Sequence, residues 1–232
     1  MKKKILAICL VVCLALTAVI GGTLAYFTDT DGATNTFTVG NVDIKLVEKN
    51  ADGTTFTPDQ VLLPGSKTVN NIAKAVTVEN TGKNPAYCWI EVWVPSALDD
   101  GDDNSPQAPG LGNSLHFNYG ANVEETKSTY LGSKTINGVS YNGYVHFVKN
   151  DTAVAAGHSS KQLLDQVYMD KKVAQCTNTG HQNCLVLADG QTHYTGSWDL
   201  VINAVGFQAD GVADIQAAIS NYYNKPVTDY LW

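Results

Sequence analysis

The residues of this chain whose types and spacing could do chemistry fall into four groups. Asp99-Asp100-Gly101-Asp102-Asp103-Asn104 places four carboxylates and an amide in consecutive reach, the hard oxygen donors that Ca²⁺ takes. The spacing departs from an EF-hand loop, so a solvated acidic loop is the competing reading. Cys176, His181 and Cys184 share one short stretch, where zinc is conceivable, but no paired C-x-x-C and no obvious fourth ligand accompany them. The same cysteines flank the turn-rich Thr177-Asn178-Thr179-Gly180-His181-Gln182-Asn183, and a local disulfide closing that loop would stabilise by about 2–3 kcal/mol. His193, Ser197 and Asp199 supply the residue types of a nucleophilic triad, yet a strand and the loop before it fix no triad geometry, and chance proximity is the plainer reading. The chain has no H-E-x-x-H, no G-x-S-x-G and no glycine-rich loop leading from a strand into a helix, so zinc-protease, hydrolase-elbow and phosphate-cradle chemistry all lack their motifs.

The fourth group is aromatic. Tyr87, Trp89, Glu91 and Trp93 alternate with Cys88, Ile90, Val92 and Val94, so the two sets point to opposite faces of one strand. Two tryptophans on the second face mean either that another element packs on them or that they form an exposed carbohydrate-binding platform. Burial is the favoured reading, with Trp89 and Trp93 kept as a candidate binding face.

The elements that must position these groups are mostly strands. Period-two alternation runs through Val42, Ile44 and Leu46; Val76 and Val78; Leu115, Phe117 and Tyr119; and Val145 and Phe147, and it predicts half-buried strands. Turn pairs punctuate them at Asp52-Gly53, Pro64-Gly65, Thr81-Gly82, Asn137-Gly138 and Asn142-Gly143, the pattern of an all-β sandwich, with a hairpin over Ser133 to Val148. Trp198, Leu200, Ile202 and Ala204 alternate against Val201, Val205 and Phe207, a two-sided apolar strand of the kind that sits centrally in a sandwich, with both faces covered. Apolar stripes predict one or two short helices, over Ser160 to Val167 and over Val212 to Tyr222. Asp210-Gly211 would cap the second and Asn224-Lys225-Pro226 would end it. Ser96 to Gly112 is polar and rich in Gly and Pro, a long inserted loop carrying the acidic run.

Of 232 residues, 44% are apolar and 16% charged, which excludes disordered and collagen-like classes and suffices for a core of ordinary size. All 15 basic residues are lysine, against 22 Asp and Glu. Without a guanidinium fork to read phosphates or base edges, nucleic acid is excluded as an expected partner. Lys2, Lys3 and Lys4, an apolar run from Ile5 to Ile20, and Gly21-Gly22-Thr23-Leu24-Ala25 together read as a secretory signal peptide, residues 1–25, cut between Ala25 and Tyr26. A retained anchor is less favoured, because the run falls short of the ~20 residues that span a bilayer. Ile8 before Cys9 and Val12 before Cys13 are not the small residue that a lipoprotein signal wants, and the C-terminal Thr228-Asp229-Tyr230-Leu231-Trp232 offers no sorting motif. Loss of three lysines with the leader leaves 12 basic against 22 acidic residues, a net charge of −10. The remaining cysteines would be Cys88, expected as a small buried hydrophobe, and the pair Cys176 and Cys184.

The junction Gly21-Gly22-Thr23-Leu24-Ala25-Tyr26-Phe27-Thr28-Asp29, with Asn35-Thr36-Phe37-Thr38-Val39-Gly40 after it, closely resembles the start of secreted proteins of the TasA/camelysin family. Leu63-Pro64-Gly65-Ser66, Val76 to Tyr87 and Ala204 to Gly211 continue the likeness, while the middle of the chain matches only in general character. The resemblance implies a jelly-roll-like antiparallel β-sandwich over residues 26–232 and removal of the leader by a SipW-type signal peptidase. It also implies secretion from a Gram-positive-type bacterium into the biofilm matrix. Fibre formers of this family assemble by donor-strand exchange, which makes the chain its own partner. Residues 26–40 would be the donor, with Phe27, Phe37 and Val39 as its apolar members, because an added strand satisfies both the unpaired backbone and the apolar pockets of an open edge. Camelysin has been described as a metalloprotease, but no protease motif is present here to inherit that role. The expectation is therefore a non-enzymatic matrix protein with no cofactor except Ca²⁺ at the acidic run. The alternative is a monomeric surface module that binds matrix polysaccharide through Trp89 and Trp93, and a hydrolase using His193, Ser197 and Asp199 ranks last.

Overall fold

Alternating apolar residues become paired strands wherever a second strand covers their backbone. The computed structural model describes residues 41–57, 62–66, 68–99, 114–118, 126–176, 184–188, 190–195 and 199–225, all within the unit Gly40–Trp232. In chain order the strands are β1 (Ile44–Lys49), β2 (Pro64–Gly65), β3 (Ile72–Asn80), β4 (Ala86–Pro95), β5 (Leu115–Asn118) and β6 (Thr126–Ile136). There follow β7 (Val139–Val148), β8 (Leu164–Asp170), β9 (Ala174–Gln175), β10 (Leu185–Val186), β11 (His193–Tyr194), β12 (Val201–Gln208) and the helix α1 (Ile215–Tyr223).

One sheet has the order β1-β3-β8-β2, with β5 also on β8; a second has the order β12-β4-β7-β6; a small third is β11-β10-β9. Pairing is antiparallel throughout, apart from the short β2 along β8. The chain is an all-β sandwich. Its main core lies between the first two sheets: Val76 and Val78 from β3, Cys88, Ile90, Val92 and Val94 from β4, Leu115 and Phe117 from β5, and Leu164, Val167 and Met169 from β8. A second core forms on the far side of β4, where Trp89, Val145, Phe147 and Val205 meet Ile215, Ala218 and Ile219 of α1.

Those three helix residues fall at i, i+3 and i+4, one stripe of α1. Asp214 is the N-cap, accepting from the Ala217 amide at 2.8 Å, and Asn224 closes the other end in the left-handed conformation at φ 51°, as cap chemistry prescribes. A helix of nine residues is too short to persist alone in water, so it exists because the sheet beneath it needs a cover. The β6–β7 hairpin turns on Asn137 and Gly138, with φ of 49° and 81°, the two positive values that a type I′ turn requires.

Two expectations are corrected. Ser160 to Val167 is not helical: the Ser160 amide donates to Val78 O and the Leu163 amide to Val76 O, so this chain already lies along β3 and continues as β8. A register shift between Ala73 and Val76 lets the consecutive Leu163 and Leu164 both be buried, which erased the period-two signal. Asn142-Gly143 is no turn but the interior of β7, where a Cβ on Gly143 would meet Trp93 ring carbons at 2.3–2.6 Å. β12 ends the order of its sheet, and both its apolar faces are covered as its two-sided pattern predicts, one by the main core and the other by the helix layer.

His146, on β7, is fully buried, its ring edge-on to Phe117 at 6.4 Å. Burial holds the imidazole neutral and pushes its pKa down to about 3. In the unfolded chain the ring takes its proton near 6.5, so between those limits the unfolded state carries more protons and the fold loses stability as pH falls. We expect stability to decline below about pH 6.5 by up to about 1.4 kcal/mol per pH unit from this group. Urea unfolding across that range, on wild type and His146→Leu, checks this; equal slopes would remove His146 as the cause. Gly143→Ala, which drives a methyl into the Trp93 indole, is expected to destabilise by about 1–3 kcal/mol. A lower urea midpoint at unchanged slope would record it, and an unchanged midpoint would refute it.

Candidate functional site

The aromatic face of β4 is built around a carboxylate. Glu91 accepts at Oε1 from the Tyr223 hydroxyl at 2.8 Å, and at Oε2 from Trp93 Nε1 at 3.1 Å and Asn203 Nδ2 at 3.3 Å. Tyr223 in turn accepts from Trp89 Nε1 at 3.1 Å, which ties the last turn of α1 to the sheet. Burial pushes the Tyr223 phenol well above its ordinary range, and the adjacent Glu91 adds to this against the opposing Trp89 donation. Trp89 is 0% exposed, with Tyr222 edge-on at 5.6 Å, and Trp93 is 8% exposed with the Lys134 ammonium 3.4 Å above its ring. Burial is the favoured expectation for this face, and both indoles are packed against other elements, Trp89 against α1 and Trp93 beneath the Lys134 ammonium.

At the base of the acidic run, Asp99 Oδ2 accepts from Asn142 Nδ2 at 2.7 Å and from the Tyr144 hydroxyl. Asn142 Oδ1 accepts from Ser96 at 3.0 Å and from Ser133 at 2.8 Å. This polar knot joins β4, β6 and β7 where the long loop leaves the sandwich, and it employs the Asp99 oxygen that sequence reading offered to Ca²⁺. Asp100, Asp102 and Asp103 lie outside the described residues, as do Ala25, Tyr26, Phe27, Phe37 and Val39.

Cys176 and Cys184 are joined in a disulfide with Cα atoms 5.3 Å apart, and the Cys176 amide donates to Cys184 O at 3.0 Å. Cys88 is a buried free thiol, pushed up to about 12 chiefly by burial and secondarily by Asp151, so it stays an unreactive thiol at neutral pH. His193 turns Nδ1 toward the sulfurs, 3.8 Å from Cys176 and 4.0 Å from Cys184; Ser197 lies outside the described residues. Two-residue strands leave no periodicity from which the sequence could reveal the β10–β11 pairing that brings His193 there. Sequence reading also missed the His116–Asp170 pair, Nε2 to Oδ2 at 2.9 Å, with the ring stacked on Tyr168 at 4.8 Å.

The family described as camelysin metallo-endopeptidase matches residues 1–185 of this chain. The chain belongs to the camelysin family. No curated relative matches it. Among solved structures, it is similar to one titled "The unique CBM3- of Hungateiclostridium clariflavum", at 13% identity and a TM-score of 0.30, over 68% of this chain and 99% of that one. The camelysin description implies a metal ion, and among the described residues one group of three metal-type ligands converges, Cys176, Cys184 and His193. With the sulfurs bonded to each other only the imidazole can donate, so in this state the group does not fit a catalytic zinc, which takes three protein ligands.

Tyr223→Phe removes both the donor to Glu91 and the acceptor of Trp89. It should destabilise by about 1–3 kcal/mol, with tryptophan emission shifted as α1 loosens. Unchanged chemical unfolding and emission would show that the helix is held by its apolar stripe alone.

Proposed function

We propose that this camelysin-family chain is a secreted, non-enzymatic structural protein of the bacterial extracellular matrix. It assembles into fibres after its leader is cut, each copy adding residues 26–39 as a strand to the sandwich of the next. The observation that carries the reading is the pair of terminal strands on one side of the sandwich. Among the described residues, β1 and β12 each end the order of their sheet, the far edge of β1 being used only at its last residues, where Phe56 N donates to Glu48 O and Lys49 bridges Thr55, and they lie close enough that a Cβ on Gly206 would meet Ile44 Cγ2 at 2.6 Å. Sheet ends lying side by side are where an incoming strand can pair its backbone. The donor segment leads directly into β1, so a chain departing there starts from the same side of the molecule.

The covered indoles of Trp89 and Trp93 disfavour the glycan-binding alternative. A peptidase role draws support from the family description alone, since the motif chemistry is lacking and the sulfurs of the convergent ligand group are spent on each other. The acidic balance, −7 for the whole chain, keeps copies apart, so salt, low pH or Ca²⁺ should promote assembly by screening or neutralising it.

Light scattering and negative-stain microscopy on protein beginning at Tyr26 and on protein beginning at Gly40 test this. Filaments from the longer form alone, more abundant with salt, are expected. Monomers from both forms under low pH and Ca²⁺ would overturn the fibre reading.

A further inference from the structure

The Cys176–Cys184 bridge is built asymmetrically. Cys176 follows β9, whose Ala174 and Gln175 are exposed, and is itself half-buried. Cys184, immediately before β10, is 2% exposed. β9 ends the order of its sheet, so a nucleophile from solvent reaches the sulfur of Cys176 and not that of Cys184. In thiol–disulfide exchange the sulfur that is attacked fixes which one is expelled. On the opposite side of β10, β11 pairs through Val186–His193, and His193 is exposed, with Nδ1 aimed at both sulfurs, 3.8 Å from Cys176 and 4.0 Å from Cys184. An imidazolium beside a sulfur favours its thiolate, which here assists the departure of Cys184. The bridge also has a backbone frame of its own. β9 pairs with β10 at Leu185–Gln175 and Val186–Ala174, and the Cys176 amide donates to Cys184 O at 3.0 Å. None of these bonds runs through the sulfurs, so opening the disulfide leaves the two cysteines side by side and the way back intact.

We propose that Cys176, Cys184 and His193 form a thiol-exchange site for low-molecular-weight thiols, a covalent activity separate from assembly. The small thiol, having lost its proton to solvent, attacks Sγ of Cys176 as a thiolate. A new S–S bond forms between them, the Cys176–Cys184 bond breaks, and its electron pair leaves on Sγ of Cys184. Protonated His193 then gives the Nδ1 proton to that sulfur and is left as the neutral Nε2–H tautomer. One disulfide is consumed and one is formed, giving a mixed disulfide on the accessible cysteine and a thiol on the buried one. In the return step His193 takes the Cys184 proton, the Cys184 thiolate attacks Sγ of Cys176, and the small thiolate is expelled and picks up a proton from solvent. His181 is close to Cys184 in sequence and lies outside the described residues; the site is defined without it.

The test treats purified, oxidised protein with 2-mercaptoethanol at neutral pH without denaturant, quenches early with acid, alkylates the free thiols and maps the peptides. The mixed disulfide is expected on Cys176 and the alkyl group on Cys184, and removal of the mercaptan before quenching should restore the bridge. Cys184→Ser, loaded with the disulfide of 2-mercaptoethanol, should hold its adduct on Cys176 without releasing it. His193→Gln should slow opening by about tenfold or more, a small part of what a placed proton donor supplies. Free imidazole should speed His193→Ala back toward wild type, a rescue that a purely structural histidine would not show. A mixed disulfide on Cys184, opening only in urea, equal rates for wild type and His193→Gln, or a slow His193→Ala that imidazole leaves unchanged would each overturn the proposal.

Discussion

Strand β4 is enclosed on both faces, and the rest of the molecule is arranged to keep it so. Cys88, Ile90, Val92 and Val94 fill the space between the two main sheets, while Trp89 on the opposite side has no exposed surface. Its edges are hydrogen-bonded to β12 and to β7. A strand of this kind needs a third layer, and α1 supplies it with a stripe of only three buried residues. Glu91 sits within that layer, where a carboxylate is tolerated because Tyr223, Trp93 and Asn203 all donate to it; without donors, a charge so placed would be costly. The helix is therefore both a hydrophobic cover and the source of the hydroxyl that satisfies the acid.

Covering one side of the sandwich in this way leaves the other side to the ends of the sheets. β1 and β12 terminate their sheets next to each other, and the residues that the assembly reading would use as a donor connect directly to β1. The features that could have made the molecule a sugar binder are instead spent on internal packing.

Much of this was legible in the sequence wherever one face was wet and the other dry. β3, β5 and the β6–β7 hairpin followed from alternation and from Asn137-Gly138, and α1 from its stripe. Legibility failed where two elements shared one stretch of chain. Leu163 and Leu164 look helical because a register shift buries adjacent residues. Gly143 looks like a turn because nothing local reveals that Trp93 of the neighbouring strand needs the space. At the candidate sites, the residue types were found but not their company. The convergence of His193 on Cys176 and Cys184 depends on pairings two residues long, too short to leave a periodic trace, and Asp99 gave no sequence sign that Tyr144 and Asn142 would hold it.

The sealed position of Cys88 sets the covalent character of any assembly. A folded copy hides that sulfur at 3% exposure, and the other two described cysteines, Cys176 and Cys184, are bonded to each other. Among the described residues no exposed thiol stands ready to weld neighbouring copies, so a filament of the proposed kind would be joined there by strand pairing and packing. Such a polymer can be taken apart and rebuilt without bond-breaking chemistry.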